Sequence, residues 1–565
     1  MKIFSVFFLG MFLFFSMQVF SEDTSHEVAM SRPAATLAER PKLKGAVLVT
    51  DIHDVNKRQL ESIRGLKTEY LDLPGKIKEL EQIFSDKFFN HYITKDLIIQ
   101  IKREIISYYQ KYYFPFVSVH IPEQNISTGV LQIVITFGEL DNVIVVGNKW
   151  FSEEKLKSFI RLKKGEKINT DKINEDVFWI NQNPFRRVDV IYSPGKKKKS
   201  TDIELFVKDR FPLRLYTGID NTGNSITKRN RFFAGFNWGK FFGTEQRLSY
   251  QFTSADVYDN FSAHTAYYEA PLPWRHNLIL FGGYSKVKGK YYAPYAHEDS
   301  FHNHGYSVQT SLRYDIPIYS KLDVLQDVSF GFDYKRMNNN LDFGGMPIVG
   351  KSVNLTQIML SYNLGYEIKP LSTSFEIEGF CSPGKWLPDQ TNDDYQTIRP
   401  FAKVRYGYFR STFSLIWRYY KDWALQTFLR GQVSSTNLLP SEQYGLGGYN
   451  TVRGYPEREY NADDAFIWNL EMKTPTFSFL DIVLRKKNKM EDQMQFLIFF
   501  DLGWGNKDKA DSFESKTQTL LSIGPGVRYN ILPYLIARFD YGFQLRHLPT
   551  TTAHRRAHFS VIIGY

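Results

Sequence analysis

The chain has 565 residues, with 71 Lys and Arg against 60 Asp and Glu, for a formal net charge of +11. Apolar residues make up 43% of it and mean hydropathy is −0.35; these values exclude both a disordered chain and a polytopic helical membrane protein. The single cysteine, Cys381, excludes an internal disulfide framework and any zinc site built on paired cysteines. The outlier is aromatic content: 9 Trp, 35 Tyr and 47 Phe reach 16%. Basic residues are spread along the chain without a recognition-helix or zinc-finger pattern, so the charge reads as a solvated surface and no nucleic-acid partner is expected.

Residues 1–21 read MKIFSVFFLGMFLFFSMQVFS: Lys2, an apolar run over 3–17, then Val19 and Ser21 at the small-residue positions before a cleavage site. This is the pattern of a secretory signal peptide. No other stretch approaches the ~18 consecutive apolar residues of a spanning helix, so an exported chain that crosses a bilayer must do so as a β-barrel. Residues 22–41 are polar, carry Pro33 and Pro41, and read as a linker with one short helix around residues 34–39.

Two small α/β modules are expected next, over 42–138 and 139–210. In the first, 43–49 reads as a strand and 55–66 as a helix. Residues 95–113 place Leu97, Ile101, Ile105, Tyr108, Tyr109 and Tyr112 on one helical face. Strands follow at 116–121 and 130–137, with Gly129 in the turn. The second module repeats the order: strand 141–146, helix 153–160 capped by Ser152, helix 171–181 capped by Thr170, and strands 188–192 and 203–207. The run Lys196–Lys199 reads as a solvated hairpin turn rather than an anionic-lipid site. A β-α-α-β-β unit leaves a sheet edge that can accept an extended peptide as an added strand.

From Phe211 to Tyr565 the helical period disappears. Segments of about ten residues alternate between apolar and polar positions, separated by Gly, Asn, Asp and Pro turns, as in a transmembrane β-barrel. Over 494–503, Met494, Phe496, Ile498, Phe500 and Leu502 share one face; Gln495, Leu497, Phe499, Asp501 and Gly503 share the other. The same scheme runs through 534–546 and 306–314. Aromatics on one face and Arg, Asp and Gln on the other fit hydrocarbon outside and water inside, rather than a soluble β-sandwich. Taking 401–419 as one strand gives sixteen antiparallel strands, ending at 558–565 with Phe559, Val561, Ile563 and Tyr565 toward lipid.

One segment departs from this rhythm. Residues 434–462 form a long loop in which Gly445, Gly447, Gly448 and Gly454 allow tight turns, with Val452-Arg453-Gly454-Tyr455 at its centre. Downstream lies Phe499-Phe500-Asp501-Leu502-Gly503, an F-x-D-x-G pattern. With the two modules and the barrel, these motifs resemble the two-partner secretion outer-membrane transporters (TpsB), the haemolysin secretion/activation protein family with polypeptide-transport-associated (POTRA) domains. Pro122-Glu123-Gln124 before Gly129-Val130-Leu131, and Gly147-Asn148-Lys149-Trp150, are also similar to the family's module boundaries. The resemblance implies that the loop folds back into the lumen and that Arg453 meets Asp501 on the inner wall, supported by Val452, Gly454, Tyr455, Phe499 and Gly503. The strand phase independently places Asp501 on the polar face. The family's N-terminal plug helix and long linker have no room in the roughly twenty residues between the signal peptide and the first module, so a plug is expected to be short or missing.

The function expected is a bacterial outer-membrane pore, with its POTRA domains in the periplasm, that passes an unfolded exoprotein of cytolysin or adhesin type to the surface without nucleotide. It is expected to be monomeric and surrounded by outer-membrane lipid. An assembly factor that inserts other barrels, or a passive porin, are the alternatives. No G-x-S-x-G, H-E-x-x-H or P-loop is present, so no catalytic residue and no cofactor is expected. His297, His302 and His304 cluster in a segment read as an external loop and are not assigned to a metal.

Overall fold

The computed structural model describes residues 40–55, 60–197, 199–224, 227–256, 260–292, 300–321, 324–338, 352–485, 491–512, 514–549 and 553–565. The expected signal peptide 1–21, nearly all of the linker 22–41, any plug ahead of the first module, and His297 lie outside these residues. The chain divides into two compact units, up to Arg210 and from Phe211 onward.

In the first unit, β1 (Gly45–Val49), β2 (Gly65–Thr68), α1 (Ile77–Lys87), α2 (Lys95–Lys111), β3 (Val117–His120) and β4 (Val130–Phe137) build a sheet in the order β2-β1-β4-β3. Strand β1 runs parallel to both of its neighbours. Thr94 starts α2 by accepting the Leu97 N–H at 3.1 Å, a cap worth ~1 kcal/mol. The helical period then buries Leu97, Ile101, Ile105, Tyr108 and Tyr109 with Ala46, Leu48, Leu131 and Ile133 of the sheet.

Among the described residues of the stretch 55–66, which exclude 56–59, there is no helix. Gly65 and Leu66 open strand β2, paired with β1, and Gly65 adopts a φ of +76° that a helix does not allow. Val55, Leu60 and Ile63 instead pack on the sheet's other face, with Val47, Val49, Val130 and Val134. Covering the sheet, rather than forming a helical face, accounts for these apolar residues. The first helix of the module is α1, which buries Leu80 and Phe84.

The second module runs β5 (Glu139–Val146), α3 (Glu153–Ser158), α4 (Thr170–Ile180), β6 (Arg186–Pro194) and β7 (Ser200–Asp209), with sheet order β5-β7-β6. Ser152 caps α3 by accepting the Lys155 N–H at 3.3 Å. The cap of α4 is Asn169 rather than Thr170: its side chain accepts from the Asp171 and Lys172 amides. Thr170 donates its hydroxyl to the Tyr113 carbonyl instead, at 3.1 Å. At the end of β7, the Asp209 carboxylate accepts the backbone N–H groups of Lys149 at 3.0 Å, Trp150 at 2.7 Å and Phe151 at 3.0 Å. That carboxylate holds the Gly147–Trp150 turn in shape. Gly147 sits at φ +90°, where a Cβ would lie 2.6 Å from the Val207 carbonyl oxygen.

The second unit is a closed antiparallel barrel, of sixteen strands among the described residues. Its first half is β8 (Leu213–Asp220), β9 (Arg231–Trp238), β10 (Arg247–Ala255), β11 (Phe261–Pro271), β12 (Asn277–Tyr292), β13 (Ser300–Lys321), β14 (Val324–Met337) and β15 (Val353–Ile368). Then follow β16 (Leu371–Ser382), α5 (Asn392–Ile398), β17 (Tyr406–Arg418) and β18 (Ala424–Ser434). A short hairpin, β19 (Tyr444–Leu446) with β20 (Tyr460–Ala462), lies outside the barrel ladder. The wall finishes with β21 (Asp464–Lys473), β22 (Asp492–Asn506), β23 (Thr517–Ile531), β24 (Leu535–Gln544) and β25 (Arg555–Gly564), and β25 pairs with β8 to close it.

The pleat puts polar residues inside and apolar ones outside. On β22, Leu497, Phe499, Asp501 and Gly503 are buried, while Ile498 is 61% exposed on the opposite face. Arg313 of β13 meets Asp333 of β14 at 2.6 Å on the inner face; the neighbouring Leu312, Phe330 and Phe332 are exposed. A row of exposed large apolar side chains around a closed wall suits hydrocarbon. Among the described residues no helix is long and apolar enough to cross a membrane.

Three expectations need correction. The strand expected at 401–419 begins at Tyr406, because α5 precedes it and Phe401 adopts φ +65°, incompatible with extended backbone. The final strand begins at Arg555, three residues before His558. His302 and His304 lie in strand β13, opposite Lys290 and Lys288, and not in an external loop.

Candidate functional site

Strands β18 and β21 are neighbours in the wall, from Ala424 opposite Lys473 to Gln432 opposite Ala465. The chain between them turns into the lumen. The hairpin of β19 and β20 narrows it, and Gly447, Gly448 and Gly454 take φ of +99°, +105° and +93° at its bends. Its apolar residues Leu446, Val452, Tyr455 and Tyr460 cluster with Ile467 and Leu520 of the wall.

Arg453 sits at the far end of this loop and is 2% exposed; Asp501 of β22 is fully buried. Its Nε donates to Asp501 Oδ2 and its Nη2 to Asp501 Oδ1, both at 2.7 Å. The Arg453 backbone N–H adds a third bond to Oδ2 at 3.0 Å. Nη1 turns to Glu471 Oε1 on β21 at 2.6 Å. The guanidinium carbon lies 3.6 Å from the centroid of the Phe499 ring, a cation–π contact that fixes the plane of the fork. Asn469 of β21, directly opposite Asp501 in the ladder, donates to Asp501 Oδ1 at 2.7 Å.

Each flanking residue has a place. A Cβ on Gly503 would fall 2.6 Å from Val452 Cγ2, so the glycine makes room for the loop. The Gly454 N–H donates to His558 Nε2 at 3.0 Å, and its carbonyl accepts from Gln544 Nε2 at 2.8 Å. The Tyr455 hydroxyl bonds both the N–H and the carbonyl of Leu521, each at 3.1 Å, and the Arg546 carbonyl.

The charges continue beyond the residues read from the sequence. Glu471 accepts from Lys473 at 3.0 Å. Asp540 of β24 accepts from Arg528 at 2.8 Å and Arg538 at 2.7 Å, and lies 3.6 Å from Arg453. Alternation on β24 marks Asp540 and Arg538 as inward, yet no motif signals them; Glu471, Asn469, Arg528 and His558 carry no signal beyond strand phase. A second buried pair lies at the loop's root beside β21: Arg399 Nη1 and Nη2 meet Asp463 Oδ1 and Oδ2 at 2.5 and 2.8 Å. Such an assembly of ion pairs and hydrogen bonds binds and positions. Among the described residues no cluster of His, Cys, Asp and Glu could hold a metal ion.

Compared with models of protein families, residues 199–529, more than half the chain, match the haemolysin secretion/activation protein ShlB/FhaC/HecB. The chain belongs to this family. Residues 138–210 match the POTRA model, described as a surface antigen variable number repeat. Among relatives of the haemolysin secretion/activation family member, the outer membrane transporter CdiB of Dickeya dadantii is 22% identical over 399 residues, 68% of this chain and 67% of that protein. The heme/hemopexin transporter protein HuxB of Haemophilus influenzae is 23% identical over 470 residues, 78% and 76% of the two chains. The solved structure of CdiB from Escherichia coli shares the fold, with a TM-score of 0.74 and 15% identity over 95% of this chain and 93% of that one.

As a haemolysin secretion/activation family member the chain is an outer-membrane protein transporter of two-partner secretion, with POTRA modules in the periplasm. Its short connections, such as 272–276 and 419–423, mark the periplasmic end of the barrel, and the long ones, 383–405 and 435–463, mark the outer end.

Proposed function

We propose that this transporter captures an unfolded exoprotein of cytolysin or adhesin type with its POTRA modules and passes it through the barrel while the inward loop shifts aside. The observation that carries the reading is the forked Arg453–Asp501 contact, buried inside a wall whose outer face is apolar. A barrel of this size encloses an aqueous bore, so a loop held within it controls what passes. Capture uses backbone pairing: β2 and β3 are edges of the first sheet, β5 and β6 of the second; the start of β5 is already bridged at Glu139 by Lys167, and the rest of these edges can take an extended chain as an added strand. No nucleotide is consumed. Folding of the cargo outside supplies direction, and the pore works as a monomer in outer-membrane lipid, with no nucleic acid involved.

The test is export. Arg453→Ala is expected to abolish or strongly reduce cargo in the medium while the barrel remains inserted at normal level. Deleting residues 42–138 is expected to block export yet leave ion conductance in planar bilayers. Normal export by the Arg453→Ala protein would refute the loop's role.

A further inference from the structure

The arm that leads from β18 toward Arg453 carries a buried charge of its own. Glu442 is completely buried. One carboxylate oxygen accepts from Lys335 Nζ at 2.7 Å and from the Ser441 hydroxyl at 2.9 Å. The other accepts from the Tyr408 hydroxyl at 2.7 Å and from Gln357 Nε2 at 3.3 Å. Its backbone carbonyl accepts from Arg410 Nη2 at 2.9 Å.

The strands that supply these partners are β14 (Lys335), β15 (Gln357) and β17 (Tyr408 and Arg410). Those that hold Arg453 and its neighbour Gly454 are β21, β22, β24 and β25. In the wall these are two arcs, one on each side of the β18–β21 junction from which the loop leaves. The bonds that fasten Glu442 and those that fasten Arg453 have no residue in common.

We infer that Glu442 is a second positioning residue of the loop, an anchor on the β14–β17 arc that holds the arm leading in from β18 independently of Arg453. A carboxylate enters a buried site only where cations and donors satisfy it, and the loss of one partner strands the other. With two anchors on opposite arcs, release of Arg453 frees the loop's tip but leaves its arm across the bore. The full opening needs both contacts broken. This rests on the loop being the barrier in the lumen, but the anchor is testable without any cargo.

The measurement is ion conductance of the purified full-length protein in planar bilayers, with barrel folding verified by heat-modifiable migration on gels. The variants are Glu442→Gln, Lys335→Met, the two combined, Arg453→Ala, and Glu442→Gln with Arg453→Ala. Glu442→Gln and Lys335→Met each raise the open fraction about tenfold, a wet lumen softening the larger loss of a dry core. The Lys335–Glu442 double variant is no more open than either single, because they form one contact, whereas adding Arg453→Ala multiplies the effect. A folded Glu442→Gln barrel with unchanged gating overturns the anchor; so does an Arg453→Ala background in which Glu442→Gln adds nothing. If Glu442→Gln does not insert, Lys335→Met alone carries the same two outcomes. Normal export by Arg453→Ala would sink the gating reading and leave these conductance results to decide the anchor.

Discussion

Gly454 of the inward loop and Gly542 of β24 touch backbone to backbone. A Cβ built on Gly542 would lie 2.6 Å from Gly454 Cα and 2.7 Å from the Arg453 carbonyl carbon. The loop is therefore seated on the wall by an absent side chain, at the place where Arg453 begins its fan of bonds. Gly542→Ala is expected to push the loop off β24 and to lengthen the Arg453 contacts, a cost of about 1–3 kcal/mol for overpacking. The readout is a higher open fraction in planar bilayers, with Gly542→Val stronger still. Gly282→Ala is the matched control, because nothing lies within 4 Å of a Cβ there, and its conductance should equal that of the parent protein.

The Arg453 site asks for a planar fork and not merely a positive charge. Nε and Nη2 grip both oxygens of Asp501 while Nη1 reaches Glu471 on the next strand, and the flat group lies over Phe499. A lysine brings one ammonium on a flexible stem, which cannot span two carboxylates on two strands and stack at once. Arg453→Lys is therefore expected to export cargo at a level closer to Arg453→Ala than to the parent. Quantifying secreted cargo against barrel level decides it, and parental export by the lysine variant would remove the argument for the fork.

Part of this arrangement is legible in one sequence. A two-residue period survives in β22 because hydrocarbon and water impose opposite demands on successive side chains, so Asp501 can be placed inside and Ile498 outside. Phase is not register, however. Nothing in the sequence says that Asn469 stands opposite Asp501, or that Asp540 and Glu471 on β24 and β21 converge on one guanidinium. Glu442 lies on an irregular arm with no period at all, and its wall partners Lys335, Gln357 and Tyr408 sit 107, 85 and 34 residues upstream, so only the fold brings them to it. The described residues of 55–66 depart from a helix for a different reason: apolar spacing reports which residues are covered, and Val55, Leu60 and Ile63 laid against a sheet satisfy it as well as a helix does.

The periplasmic unit offers a test of how a motif turn is held. Gly147-Asn148-Lys149-Trp150 follows β5, and the backbone N–H groups of Lys149, Trp150 and Phe151 all point at Asp209 on β7. A carboxylate that gathers amides in this way acts as a clamp between the first and last strands of the module, and hydrogen bonds to a charged group contribute ~1.5–3 kcal/mol. Asp209→Ala leaves those amides to water and should loosen the turn and the start of α3 just beyond it. Hydrogen exchange on the full-length protein in detergent is expected to speed up at 149–151 while strands β22 and β24 keep their protection, because the two units have separate cores. Asp209→Asn retains a carbonyl acceptor and should fall between the parent and the alanine variant. Unchanged exchange at 149–151 in the alanine variant would mean that local backbone geometry, with Gly147 at positive φ, holds the turn without the carboxylate.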